Sequence, residues 1–69
     1  MLIIKLNFWV SGEPFFVNAE SISMIERDEG DRQNAVITFT FRAGGTGCLR
    51  VRNTPEEVLR LIKEAKNEN

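Results

Sequence analysis

The sequence predicts an α+β domain: a small antiparallel β-sheet of about five short strands, arranged as two hairpins, with one C-terminal amphipathic helix. Three observations carry that prediction. Residues 2–10 alternate apolar and polar side chains, the period of a strand with one buried face. Residues 35–52 hold two further alternating runs around a glycine-rich turn. Residues 54–66 change to a helical period directly after a capping signature.

In the first run Leu2, Ile4, Leu6, Phe8 and Val10 share one face, with Lys5 and Asn7 on the other. Ile3 and Trp9 are apolar exceptions on the outer face, so the strand is expected over residues 2–10. Ser11-Gly12-Glu13-Pro14 is turn chemistry, and a second strand follows over 15–18. A two-residue turn at Gly12-Glu13 sets Val10 opposite Phe15 and Phe8 opposite Val17, which matches the apolar faces. Pro14 cannot donate to a ladder, so the alternative is an irregular first pair or a wider turn. Asn18-Ala19-Glu20-Ser21 breaks the alternation, and a third strand is expected over 22–27. Residues 27–34 carry no large apolar side chain and read as a solvated loop around Gly30.

Ile37, Phe39 and Phe41 alternate with Thr38, Thr40 and Arg42, a β-branched and aromatic run that predicts a strand over 35–42. Leu49 and Val51 alternate with Cys48, Arg50 and Arg52 in a strand over 48–52. Opposed residues must share a sheet face, so odd positions must meet odd ones. A two-residue Gly44-Gly45 loop would set Leu49 against Thr40 and mix the faces. A three-residue loop, Gly44-Gly45-Thr46, sets Phe41 against Leu49 and Phe39 against Val51 and is favoured, with glycine supplying positive φ. The helix is expected over 55–66, with Thr54 as N-cap, Pro55 at the first position and Glu57 three residues after the cap. Val58, Leu61, Ile62 and Ala65 form its apolar stripe, widened by Leu59, while Arg60, Lys63, Glu64 and Lys66 face water.

The 69 residues allow one domain, and a chain of this size buries only about 60% of its unfolded surface. Histidine is absent and Cys48 is the only cysteine, which excludes an internal disulfide and a Cys/His zinc site within one chain. A thin core without such staples favours a homo-oligomer. The lone cysteine points to a reducing compartment, and Met1-Leu2-Ile3-Ile4 is cut short by Lys5. A cytoplasmic protein with no membrane span is therefore expected. The formal net charge of −1 supplies no global pull toward nucleic acid or anionic membrane.

Catalysis has little support, because without histidine no side chain has an unperturbed pKa near neutrality. Neither an enzymatic activity nor a cofactor is expected. Glu26, Asp28, Glu29 and Asp31 gather around Gly30 but miss the EF-hand spacing, so they read as a solvated acidic loop and not as a metal site. Cys48 has Arg42 and Arg50 nearby in sequence to lower its pKa, yet no base completes a nucleophilic relay. The Ala43-Gly44-Gly45-Thr46-Gly47 run lacks the lysine and following helix of a P-loop and reads as a hairpin turn.

Binding surfaces are the remaining means of action. Arg42, Arg50 and Arg52 share one face in the favoured register and, with Gly44 and Gly45, are the anion-binding candidates. No aromatic on that face offers a stacking platform, so a nucleic-acid or anionic-ligand binder is the second reading. Trp9 and Phe16 lie opposite the main apolar faces of their strands and are the interface candidates for a protein partner.

Gly12-Glu13-Pro14-Phe15 and the segment Asn18-Ala19-Glu20-Ser21-Ile22-Ser23-Met24-Ile25-Glu26 resemble the small FlbD/SwrD-like flagellar proteins. Those proteins run as a strand, a Gly-x-Pro-Phe turn, an Asn-Pro-Asp-like segment and an Ile-x-x-Ile-Glu strand. A Thr-rich strand, a glycine turn, a basic strand and a helix with a Glu-rich start come next. Here Val36-Ile37-Thr38-Phe39, Gly44-Gly45, Val51-Arg52 and Glu56-Glu57-Val58 follow the same order. Ala19 stands where that family often has proline, and the loops at 28–33 and 42–47 are longer. The resemblance implies a cytoplasmic motility accessory with no enzymatic residues, and a small phage or mobile-element protein with this strand order is the alternative. The expected function is a non-enzymatic protein-interaction module acting as a homo-oligomer.

Overall fold

A computed structural model describes residues 1–67 as five antiparallel strands followed by one helix, an α+β fold. Strands β1 (Ile3–Asn7) and β2 (Pro14–Asn18) form a hairpin, and β3 (Ile22–Arg27), β4 (Ala35–Thr40) and β5 (Thr46–Val51) form a sheet in that order. A short 3-10 turn, Ala19–Ser21, joins β2 to β3, and helix α1 covers Pro55–Asn67. The two sheets meet at one corner. Phe8 bridges Val51, the Trp9 N–H donates to the Arg50 carbonyl at 3.3 Å, and the Arg52 N–H donates to the Asn7 carbonyl at 3.0 Å. The end of β1 thus lies beside the end of β5, leaving β2 and β3 as edges.

The core draws on both sheets and the helix. Leu6, Ile37, Val51 and Val58 are wholly inaccessible, and Ile4, Ala35 and Phe39 pack with them. Each large side chain buried this way contributes about 1.5–3 kcal/mol, which a thin core needs from every member. The helix begins where the sequence indicates. The Thr54 hydroxyl accepts the Glu57 N–H at 3.1 Å, and the Glu57 carboxylate accepts a bond from the Asn53 amide. Val58 is buried and Leu61, Ile62 and Ala65 are half-buried, but Leu59 is 57% exposed and does not widen the core stripe.

Both hairpin registers differ from expectation. Strand β1 ends at Asn7, with Ile4 opposite Val17 and Leu6 opposite Phe15, and Val10 does not meet Phe15. The turn is the wider alternative, spanning 8–13 and closed by the Phe8 N–H on the Glu13 carbonyl at 2.9 Å. Proline is the reason. A two-residue turn would require an N–H at position 14, whereas here residue 14 points its nitrogen to the open edge.

In the second hairpin the loop has the three residues that face matching demands, but it is Arg42-Ala43-Gly44. The Phe41 N–H donates to the Gly45 carbonyl and the Gly44 N–H to the Phe41 carbonyl, both at 3.0 Å. Such a loop needs left-handed backbone at its third position, where Gly44 has φ 82° and where the expected loop would have put the β-branched Thr46. Ile37 therefore opposes Leu49 and Phe39 opposes Gly47, and Phe41 leaves the core, its ring close over Gly47. In β3 a bulge between Ile22 and Met24 turns both Ile22 and Ile25 inward and Met24 out. The loop after β3 is not wholly solvated, because Asp28 and Asn34 are buried.

Candidate functional site

The densest constellation of chemistry forms where the β1–β2 turn folds back over β5. Phe8 stacks on Phe15, ring centroids 4.2 Å apart, and anchors the base of the turn. Beyond it the chain must reverse within a few residues. Gly12 does so with φ 76°, its N–H on the Phe8 carbonyl at 2.8 Å and its carbonyl taking the Asn7 side-chain amide at 3.1 Å. Glycine is required here twice, since a Cβ at position 12 would also lie 2.6 Å from the Arg52 guanidinium.

That guanidinium holds the turn in place. Arg52 Nε donates to the Trp9 carbonyl at 2.9 Å and its Nη2 to the Val10 carbonyl at 3.2 Å. Two residues earlier, within β5, Arg50 sets its guanidinium 4.3 Å from the centre of the Trp9 ring. Arg50 is itself fixed by a two-pronged ion pair with the buried Asp28 carboxylate, which also accepts the Gly30 N–H at 2.9 Å. The Arg50 bond, aided by Gly30, holds the Asp28 carboxyl below its ordinary value of 3.8 despite the cost of burial. A chain of contacts thus runs from Asp28 through Arg50 to Trp9.

The outcome is a loop whose backbone is clamped and whose apolar tip is presented to solvent. Trp9 is 40% and Val10 83% exposed. Clefts flank them on both sides: one of about 230 Å³ lined by Phe8, Leu49 and Arg50, the other of about 490 Å³ reaching Asp31, Asn34 and Arg52.

The sequence-predicted residues divide. Trp9 and the pair Arg50 and Arg52 come together, which corrects the expectation that the arginine face lacks an aromatic: the turn brings Trp9 onto it. Arg42, Gly44 and Gly45 sit in the hairpin turn at the far end of β5 and are exposed. Phe16 is 70% exposed on β2 beside Lys5, and neither cleft is lined by it. Asp28 belongs to the acidic loop that the sequence set against the arginines, and within the chain it pairs with Arg50; its burial and the part played by Asn53 were not read from the sequence. The Asx-turn pattern Asp-x-Gly at 28–30 was the available signal for the first. Asn53, whose side-chain oxygen takes the Asn7 N–H at 2.9 Å, carries no such signal beyond its place before the cap.

Cys48 is exposed, with its sulfur 3.6 Å from the Thr38 hydroxyl. Among the described residues no group of His, Cys, Asp and Glu is arranged to hold a metal ion, and no helix is long and apolar enough to cross a membrane. Compared with known protein families, characterised proteins and solved structures, the chain matches none.

Proposed function

We propose that the chain is a non-enzymatic protein-interaction module, working as a homo-oligomer in the cytoplasm, that docks a protein partner through the turn carrying Trp9 and Val10. The observation that carries this reading is the combination of exposed apolar tip and clamped backbone at that turn. A loop already fixed loses little entropy on binding, and a tryptophan flanked by arginine and aliphatic groups has the composition of an interface hot spot. Arg50 and Arg52 direct their donors to Asp28 and to loop carbonyls, so fewer remain for phosphates, and a protein partner is favoured over nucleic acid. The resemblance of its sequence motifs to those of FlbD/SwrD-like proteins supports a motility-accessory role for the module.

A photoreactive phenylalanine analogue incorporated at position 10 in the native cell tests the reading. It should give one discrete adduct, absent when the analogue stands at the exposed position 43 in the far turn. Trp9→Ala should remove the adduct and impair swimming while the isolated chain keeps its melting profile. Equal crosslinking from both positions, or an adduct indifferent to Trp9→Ala, would refute it.

A further inference from the structure

Two arginines serve the Trp9 turn, and they act on different parts of it. Arg52 bonds the main-chain carbonyls of Trp9 and Val10 and so fixes where the turn lies. The direction of the indole depends on the two side-chain torsions of Trp9, and there Arg50 stands over the ring. The Trp9 N–H also donates to the Arg50 carbonyl at 3.3 Å, so main chain and side chain tie the same two residues together. A guanidinium steers a ring only if its own plane is fixed, because the attraction requires the cation to lie over the ring face.

What fixes that plane lies in the loop between β3 and β4. Arg50 grips Asp28 through two nitrogens, Nε on Oδ2 and Nη2 on Oδ1, the second at 3.1 Å. A fork held at both prongs keeps its plane, whereas a single prong or an ammonium leaves it free to rotate. The carboxylate is itself held. Asp28 is the one buried charged residue among those described, its Oδ1 takes the Gly30 N–H at 2.9 Å, and its N–H donates to the Asn34 carbonyl at 3.1 Å. The Asn34 N–H donates to the Asp31 carbonyl at 2.9 Å and the Gln33 N–H to Asp31 Oδ1 at 3.1 Å, so the loop is braced from within. Gly30 leaves the guanidinium its room, since a Cβ there would stand 3.3 Å from Arg50 Nη2. Releasing Arg50 would leave a buried carboxylate unpaired, which keeps the fork in place.

We propose that Asp28 is a positioning residue for Trp9: through Arg50 it sets the direction of the indole, and the β3–β4 loop thereby governs the docking turn. The proposal rests on the reading of that turn as the docking site. It gives the loop two parts in one surface, because Asp31 and Asn34 line the cleft of about 490 Å³ together with Trp9 and Val10. A ring already held in one direction meets the partner without first being ordered. Loss of the Asp28 carboxylate therefore weakens docking although Asp28 is buried and touches no partner.

Proton NMR of the full chain reads the geometry, and the crosslink from position 10 reads the docking. The indole ring current should shift the Arg50 Nε–H and δ-methylene resonances upfield, with Trp9→Ala marking their unshifted positions. Asp28→Asn keeps the size of the side chain and an oxygen for the Gly30 N–H but removes the charge. It should lower the ratio of stacked to unstacked ring about two- to fivefold, the Boltzmann factor of an exposed cation–π contact, and the adduct yield with it. Arg50→Lys, which keeps the charge and loses the fork, should lower the adduct yield likewise. Thr54→Ala, which weakens the fold at the helix cap, should leave both readings unchanged. If Asp28→Asn does not fold by circular dichroism, Asp28→Ser, a smaller neutral group that still accepts from Gly30, is read in the same way. Arg50 resonances that keep their full shift without the carboxylate overturn the proposal, and so does a lost shift with an unchanged adduct yield; the docking reading survives both. A crosslink indifferent to Trp9→Ala overturns the docking reading and this proposal together.

Discussion

Replacing Gly12 with alanine perturbs the Trp9 turn at one defined point, and its cost can be worked from the structure. An L-residue in the left-handed region costs about 1–2 kcal/mol, and the stiffer unfolded chain offsets about 0.4–1 kcal/mol of that. The backbone part is therefore about 1 kcal/mol. The new Cβ would also lie 2.6 Å from Arg52 Nη1, so the guanidinium must withdraw from the Trp9 and Val10 carbonyls. Two exposed hydrogen bonds contribute together about 1 kcal/mol. The total, about 2 kcal/mol, corresponds to a fall in Tm of about 8–16 °C for a domain of this size. Trp9 is the only tryptophan, so its fluorescence reports the loop while circular dichroism follows global unfolding. The reasoning is specific because it predicts coupling: in an Arg52→Ala background, Gly12→Ala should cost only the backbone part, about 1 kcal/mol. Equal costs in the two backgrounds would show that the Arg52 contact is not what constrains position 12.

Further outcomes follow from the core, the cap and the buried ion pair. Leu6→Ala removes a wholly inaccessible side chain and should cost about 2–5 kcal/mol, measured by urea unfolding; a smaller loss would mean that the site collapses around the cavity. Thr54→Ala deletes the acceptor for the Glu57 N–H and should cost about 1 kcal/mol, with Thr54→Ser restoring most of it. Asp28 titrates below 3.8 in the folded chain, so its stabilisation is present above that pH and is lost as pH falls through the lowered value. Glu56, held down by Arg27, has the same sign. Denaturation measured from pH 5 downward should show stability falling, and Asp28→Asn should flatten the fall; an unchanged slope would remove Asp28 as its source.

Short-range physics accounts for what was legible in the chain. Strict alternation at Leu2, Ile4 and Leu6, and again at Ile37, Phe39, Leu49 and Val51, announced the strands, because a strand's side chains have only two directions to point. Thr54, Pro55 and Glu57 fixed the helix start because capping is settled within one turn. Parity of faces required an odd loop in the second hairpin, and the loop is odd. Its placement was decided by which residue can take positive φ at the third position, a condition that Gly44 meets and Thr46 does not.

Tertiary structure decided the rest. Val10 and Phe41 continue their alternating patterns yet lie outside the core, because each strand ends where its partner ends and not where its own pattern does. Leu59 continues the helical stripe but is mostly exposed, because it lies at the edge of the stripe centred on the buried Val58 and the half-buried Leu61, Ile62 and Ala65. The Trp9 site joins residues from the first turn, the loop after β3 and the last strand: Asp28 is 22 positions from Arg50, and Arg52 is 43 from Trp9. No local pattern encodes such distances. The sequence by itself determined which segments are strand and helix, and that these 69 residues hold neither a cysteine pair nor a histidine. Only the closing of β1 onto β5 determined that Trp9 would stand on an arginine anchored by a buried carboxylate, because that contact depends on two sheets meeting at a corner.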